Sequence, residues 1–211
     1  MLAYILGSFN FIISQPTNNE DDKSSSASSI DTFGQREWKL HFNLDTKPSD
    51  IPQKILNILH NPCPFSSSKV ISETHILCWI PVGITESKID NLLRVEHFDH
   101  SLDPTPTGKW ALMTKQVIPA AGYGPFPSQE NYLGKHGYRP PYALEAIIAT
   151  IAAKKLANID LFSGRSEHTQ CQEKQEDRQR HLVVTSSPTK IYAILENFYN
   201  CSRVAGVLLS E

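Results

Sequence analysis

The pattern of apolar and polar positions changes several times along the chain, and each change marks an element. Ten of the first thirteen residues are apolar: Met1 to Leu6 without a break, then Phe9, Phe11, Ile12 and Ile13. Gln15 to Arg36 is polar, with five serines between Ser24 and Ser29 and only Ala27, Ile30 and Phe33 as apolar members. Such a stretch cannot bury enough surface to offset its ordering entropy, so 15–36 reads as a disordered leader and the domain boundary falls near Glu37. Trp38, Leu40, Phe42 and Leu44 then alternate with Lys39, His41 and Asn43, the pattern of a half-buried strand. Ser49 or Asp50 can cap a helix with Pro52 in its first turn and Ile51, Ile55, Ile58 and Leu59 as its stripe. Val70 to Ile80 is dense in apolar and β-branched residues and predicts a central strand. Ile89, Leu92 and Leu93 mark a short helix, and Trp110 to Ile118 another strand, ended by Pro119.

Gly122, Gly124, Pro125 and Pro127 predict a loop without regular structure over Ala120 to Ser128. Pro140 and Pro141 then open the clearest helix, Tyr142 to Leu156. Its apolar residues leave hardly any polar face, which is the mark of a buried helix. Ser166 to His181 is the opposite, with seven charged residues of sixteen and Cys171 alone apolar. Three strand-like runs follow, Leu182 to Thr185, Lys190 to Glu196 and Val204 to Leu209, separated by turn-forming residues. The order of elements predicts an α+β fold: a mixed, largely antiparallel sheet with a C-terminal three-stranded meander packed on the buried helix of about 142–156. The organisation expected is an apolar segment 1–14, the leader 15–36 and a single domain 37–211.

Composition narrows the function classes. The chain has 211 residues, a formal charge of −2 and 40% hydrophobic residues. A domain of this size buries enough surface to need no disulfide or metal staple. The near-neutral balance, without aromatics interleaved among basic residues, excludes a nucleic-acid footprint. Cys63, Cys78, Cys171 and Cys201 form no CxxC pair and are expected to be reduced. No Lys or Arg precedes Lys23, so the first residues lack the charged start of a secretory signal. Thirteen residues are also too few for a membrane-spanning helix, and no transmembrane segment is expected. The segment reads as a strand or short helix packed on the body, with an export signal or a membrane-surface anchor as alternatives.

The candidate chemistry centres on Cys63. In His60-Asn61-Pro62-Cys63-Pro64-Phe65, two prolines fix the backbone around a thiol that follows a helix C-terminus, where partial negative charge disfavours the thiolate. As a nucleophile Cys63 would need His60 or His75 as its base; as a structural residue it packs with Phe65 in a rigid turn. Glu73 and His75, two apart on the predicted strand, would share a face, so that the carboxylate could orient the imidazole. His97 and His100, with Glu96, Asp99 and Asp103, have metal-ligand spacing only if helical. The run Asp103-Pro104-Thr105-Pro106 points to a surface loop instead. His168, Cys171 and His181 are scattered, no phosphate loop, GxSxG or HExxH is present, and neither a metal nor a cofactor is implied.

Several runs resemble a paralogous family of uncharacterised proteins from environmental, amoeba-associated chlamydiae. They are Asn61-Pro62-Cys63-Pro64-Phe65, Glu73 to Leu77 with Ile80-Pro81, Trp110 to Lys115, Pro141 to Ala146, and Cys171-Gln172-Glu173. Gly206-Val207-Leu208 is similar to the family's closing strand. The resemblance covers most of 38–209. It implies a protein of an intracellular bacterium, located in the bacterial cytoplasm or secreted into the host cell. Some relatives carry an F-box or U-box segment before this domain, which implies a host protein or the ubiquitin machinery as partner. This chain departs from that pattern, with only its leader before the domain and Ser166-Glu167-His168-Thr169 where the family has an aromatic-rich run. The leading expectation is a non-catalytic protein-interaction module and host-directed effector. The alternative is a cysteine-dependent hydrolase or transferase using Cys63, His75 and Glu73.

Overall fold

The computed structural model describes residues 30–84, 93–95, 108–121, 125–163, 168–175, 180–197 and 204–209. The expectations for 1–14 and 15–29, for the metal-spaced histidines His97 and His100, and for Cys201 lie outside these residues. The fold is α+β. A five-stranded sheet runs in the order β1 (Asp31–Phe33), β2 (His75–Ile80), β4 (Lys109–Thr114), β9 (Val207–Leu208), β5 (Tyr138–Arg139). Its pairs are antiparallel except β1 with β2. A four-stranded sheet runs β3 (Leu93–Val95), β8 (Ile191–Asn197), β7 (Arg180–Ser186), β6 (Thr169–Gln175), antiparallel except β3 with β8. The helices are α1 (Gln35–Phe42), α2 (Gln53–Ile58), the single turn α3 (Ile71–Thr74), α4 (Phe126–Gly134) and α5 (Ala143–Ala157).

Helix α5 is the long apolar helix expected at 142–156, and its surroundings explain its composition. It packs against β1 and β2 of one sheet and against β6, β7 and β8 of the other. Every residue from Ala143 to Ala153 is buried. A helix with sheets on two sides has no face left for water, so alanines and isoleucines occupy its whole circumference. Its neighbours Leu77, Leu112, Leu182 and Val184 belong to the same continuous apolar cluster.

The three-stranded antiparallel meander packs on this helix, but with different strands from those the runs suggested. Its members are β6, β7 and β8. The polar segment 166–181 supplies β6, an edge strand whose polar groups are used. The Gln172 N–H donates to the Pro141 carbonyl, and Glu173 accepts the Ala143 N–H. The closing run instead enters the five-stranded sheet between β4 and β5.

Other departures have local causes. Trp38 to Phe42 is helical, not a strand, because Trp38 and Phe42 are also i and i+4 and both ring-pack on Phe33. Leu40 is left 69% exposed. Strand β1 lies upstream of Glu37, inside the expected leader: Asp31–Phe33 pairs with Ile76–Cys78 and buries Phe33. Helix α2 starts after Pro52 without a side-chain cap. In Val70 to Ile80 the strand begins only at His75. Leu93, expected in a helix, opens strand β3. Within 120–128 the prolines do not prevent order: Pro125 and Pro127 sit at the start of α4, where a missing N–H costs no helical bond. An acid three residues into the helix recurs as a capping device. Glu37, Glu73 and Glu145 accept the N–H groups of Gly34, Val70 and Tyr142 respectively.

Candidate functional site

Cys63 lies in a tight excursion between α2 and α3. The Cys63 N–H donates to the Lys69 carbonyl (2.9 Å), Pro62 bridges to Val70, and the Ile71 N–H returns to Asn61 (3.0 Å). These bonds hold the thiol against the core, 6% exposed, where its sulfur accepts the Phe65 N–H at 3.4 Å. Cys63 and Phe65 nevertheless form part of the wall of a cleft of about 390 Å³, whose far side is Thr114 to Pro119 and Ile159.

Glu73 also lines this cleft, but not as a partner of His75. It belongs to the helical turn α3, whereas His75 is the first residue of β2, so the two do not share a strand face. The Glu73 carboxylate is exposed and caps its own turn by accepting the Val70 N–H at 2.9 Å. The apolar density of 70–80 does not reveal this turn; the acid three residues after Val70 does.

His75 is fully buried behind the cleft wall. Its Nδ1 lies 3.2 Å from the Ile71 carbonyl and 2.8 Å from Thr74 Oγ1. A carbonyl only accepts, so the partners assign the proton to Nδ1 and leave a lone pair on Nε2. Nε2 has no hydrogen-bond partner among the described residues, nor has the buried Tyr138 hydroxyl. The two rings are 5.6 Å apart, and Phe65 packs edge-on against Tyr138 at 4.9 Å. Burial lowers the His75 pKa to about 4; the Ile71 carbonyl opposes this and the charge of Lys115 adds to it. His75 is therefore neutral at neutral pH. Burial, with the neighbouring Cys63, pushes the Tyr138 phenol upward.

This arrangement has limited chemical reach. A general base works best with a pKa near the operating pH, and a cysteine is activated by an adjacent cation. His75 supplies neither the charge nor the basicity. His60 lies on the exposed side of the same excursion. Cys78 and Cys171 are buried free thiols, both shifted upward by burial. His181 bonds through Nδ1 to the Cys171 carbonyl at 3.1 Å and stacks on Phe126. Among the described residues no group of three or more His, Cys, Asp or Glu side chains could hold a metal ion. No helix among them is long and apolar enough to cross a membrane.

The principal polar cluster that sequence reasoning missed lies at the start of α5. Glu145, 1% exposed at its side chain, accepts two bonds from Arg139 (2.6 and 2.7 Å) and pairs with Lys109 (2.7 Å). Burial works to raise its pKa, but Arg139 and Lys109 outweigh this and hold the carboxyl below its ordinary value. Glu173 completes the cluster from β6, its pKa raised by burial and by Glu145 against the pull of the Ala143 N–H. The Tyr142 ring lies beneath both cations, 5.2 Å from Lys109 and 4.9 Å from Arg139. The signal was a lone acid on an otherwise apolar helix. The cluster ties β4, β5, α5 and β6 together. No protein-family model, curated protein or solved structure matches this chain.

Proposed function

We propose that this chain is a non-catalytic protein-interaction module of an intracellular bacterium, related to the amoeba-associated chlamydial family it resembles. In this reading it acts as a host-directed effector whose partner is a host protein, with the ubiquitin machinery as the class the resemblance implies. The observation that carries the non-catalytic part is the state of the three residues an enzyme would need. Cys63 accepts a backbone N–H, Glu73 caps its own turn, and His75 is neutral and held by Ile71.

One observation favours the competing reading, a cysteine-dependent hydrolase or transferase. Cys63 contributes to the wall of a cleft, near two buried polar atoms that lack partners among the described residues. Iodoacetamide labelling separates the two. The module reading expects slow native labelling of Cys63, normal labelling once unfolded, and modest destabilisation by Cys63→Ser. It also expects a host protein captured by the full chain to be captured equally by Cys63→Ser. Fast native labelling that disappears in His75→Ala, with stability unchanged, would promote the enzyme instead.

A further inference from the structure

A second cleft, of about 300 Å³, lies where the segment after α1 meets the end of β2. Five of its eight wall residues are apolar: Leu44, Trp79, Pro81, Val82 and Ile84. Its two charged members, Asp45 and Lys47, are exposed and opposite in sign, so the wall carries no net charge. Asp45 is already engaged, accepting the Gln35 side-chain amide at 3.4 Å.

All three tryptophans of the chain are buried. Trp38 Nε1–H donates to the Trp79 carbonyl and Trp110 Nε1–H to the Ser49 carbonyl, each at 2.8 Å. The Trp79 indole N–H has no partner among the described residues, and neither has the Thr46 hydroxyl. These two residues, 5% and 8% exposed, stand in the wall of the same cleft. The Trp79 ring is held edge-on to Trp110 at 5.5 Å, and a Cβ at Gly108 would lie 2.5 Å from it, so the indole is fixed in place. Buried polar atoms are rarely left unpaired, and two of them in one mostly apolar wall mark the place of a ligand's polar group.

The types of the two atoms define that group. An indole N–H only donates, which a carbonyl oxygen satisfies; a threonine hydroxyl also accepts, which an amide N–H satisfies. We propose that this cleft binds an uncharged small molecule with an apolar body and one secondary amide. The amide carbonyl accepts from Trp79 Nε1–H, and the amide N–H donates to Thr46 Oγ1. The volume is twice the roughly 150 Å³ that accepts benzene, enough for one ring and the amide. An ionised ligand is disfavoured, because the apolar wall strips its hydration and offers no unopposed charge in return. This cleft shares no wall residue with the one beside Cys63, so the proposal stands apart from the reading above.

The test titrates the full ¹⁵N-labelled chain with N-cyclohexylacetamide and follows the three indole N–H resonances. The Trp79 resonance is identified by its absence in Trp79→Phe. In the free protein it should lie upfield of the other two, at a position without a hydrogen bond. The probe should move it downfield, half-saturating at about millimolar concentration as ligands of this size do, with Trp38 and Trp110 unmoved. Thr46→Val, which keeps the shape and removes the hydroxyl, should weaken binding about tenfold. A Trp79 resonance already at a bonded position in the free protein would overturn the proposal. So would no movement at about 20 mM probe, or an affinity unchanged in Thr46→Val.

Discussion

Lowering the pH should destabilise this protein through His75 in particular, and the size of the effect follows from its burial. In the unfolded chain the imidazole titrates near 6.5; in the fold its pKa lies at about 4. Between these values the unfolded state binds the proton and the folded state does not. Stability from this group is therefore complete above about pH 6.5, falls as pH drops, and is gone below about 4. The full difference is about 3 kcal/mol, of which about 2 kcal/mol is lost by pH 5. His181, shifted downward by burial, acts in the same direction, so the total change in wild type is not diagnostic. The comparison is with His75→Asn, whose side-chain amide nitrogen takes the place of Nδ1 opposite the Ile71 carbonyl and does not titrate. Urea unfolding of both proteins at about pH 7.5 and about pH 5 should show wild type losing about 2 kcal/mol more than the variant. Equal losses, or an imidazole NMR titration centred near 6.5, would refute the claim that His75 is held neutral by the core.

Ile148→Ala and Ile151→Ala should each cost about 2–5 kcal/mol in chemical denaturation, since both side chains are buried on α5. A loss below about 0.5 kcal/mol at both would place the helix on the surface. Glu145→Gln leaves Arg139 and Lys109 without their counter-charge. It should cost about 3 kcal/mol, at the low end of buried-pair disruption because both cations also reach solvent. Gly108→Ala would place a methyl about 2.5 Å from the Trp79 ring and should cost about 1–3 kcal/mol, with a changed near-UV signal from the Trp79–Trp110 pair. Unaltered stability and spectrum would show that Trp79 moves aside freely.

The sequence alone determined whatever depends on a residue's immediate neighbours. The apolar helix at 142–156, the β-branched core of β2, the hairpin of β7 and β8 and the buried Cys78 were legible because burial leaves a compositional record. It could not choose between periods over short spans, because Trp38, Leu40, Phe42 and Leu44 fit both a strand and, through Trp38 and Phe42, a helix. Packing of both rings on Phe33 decided that choice. Nor could it show that the polar run 169–175 becomes a strand, since an edge strand is stabilised by the backbone and capping partners it meets at Pro141 and Ala143. The candidate site divides in the same way. Cys63 stood out through its flanking prolines, but whether Glu73 and His75 serve it depended on a single helical turn that separates them. The neutrality of His75 comes from the sheet and rings around it, which only long-range contacts assemble. Local pattern encodes how much of a residue must be hidden, and tertiary structure decides against what.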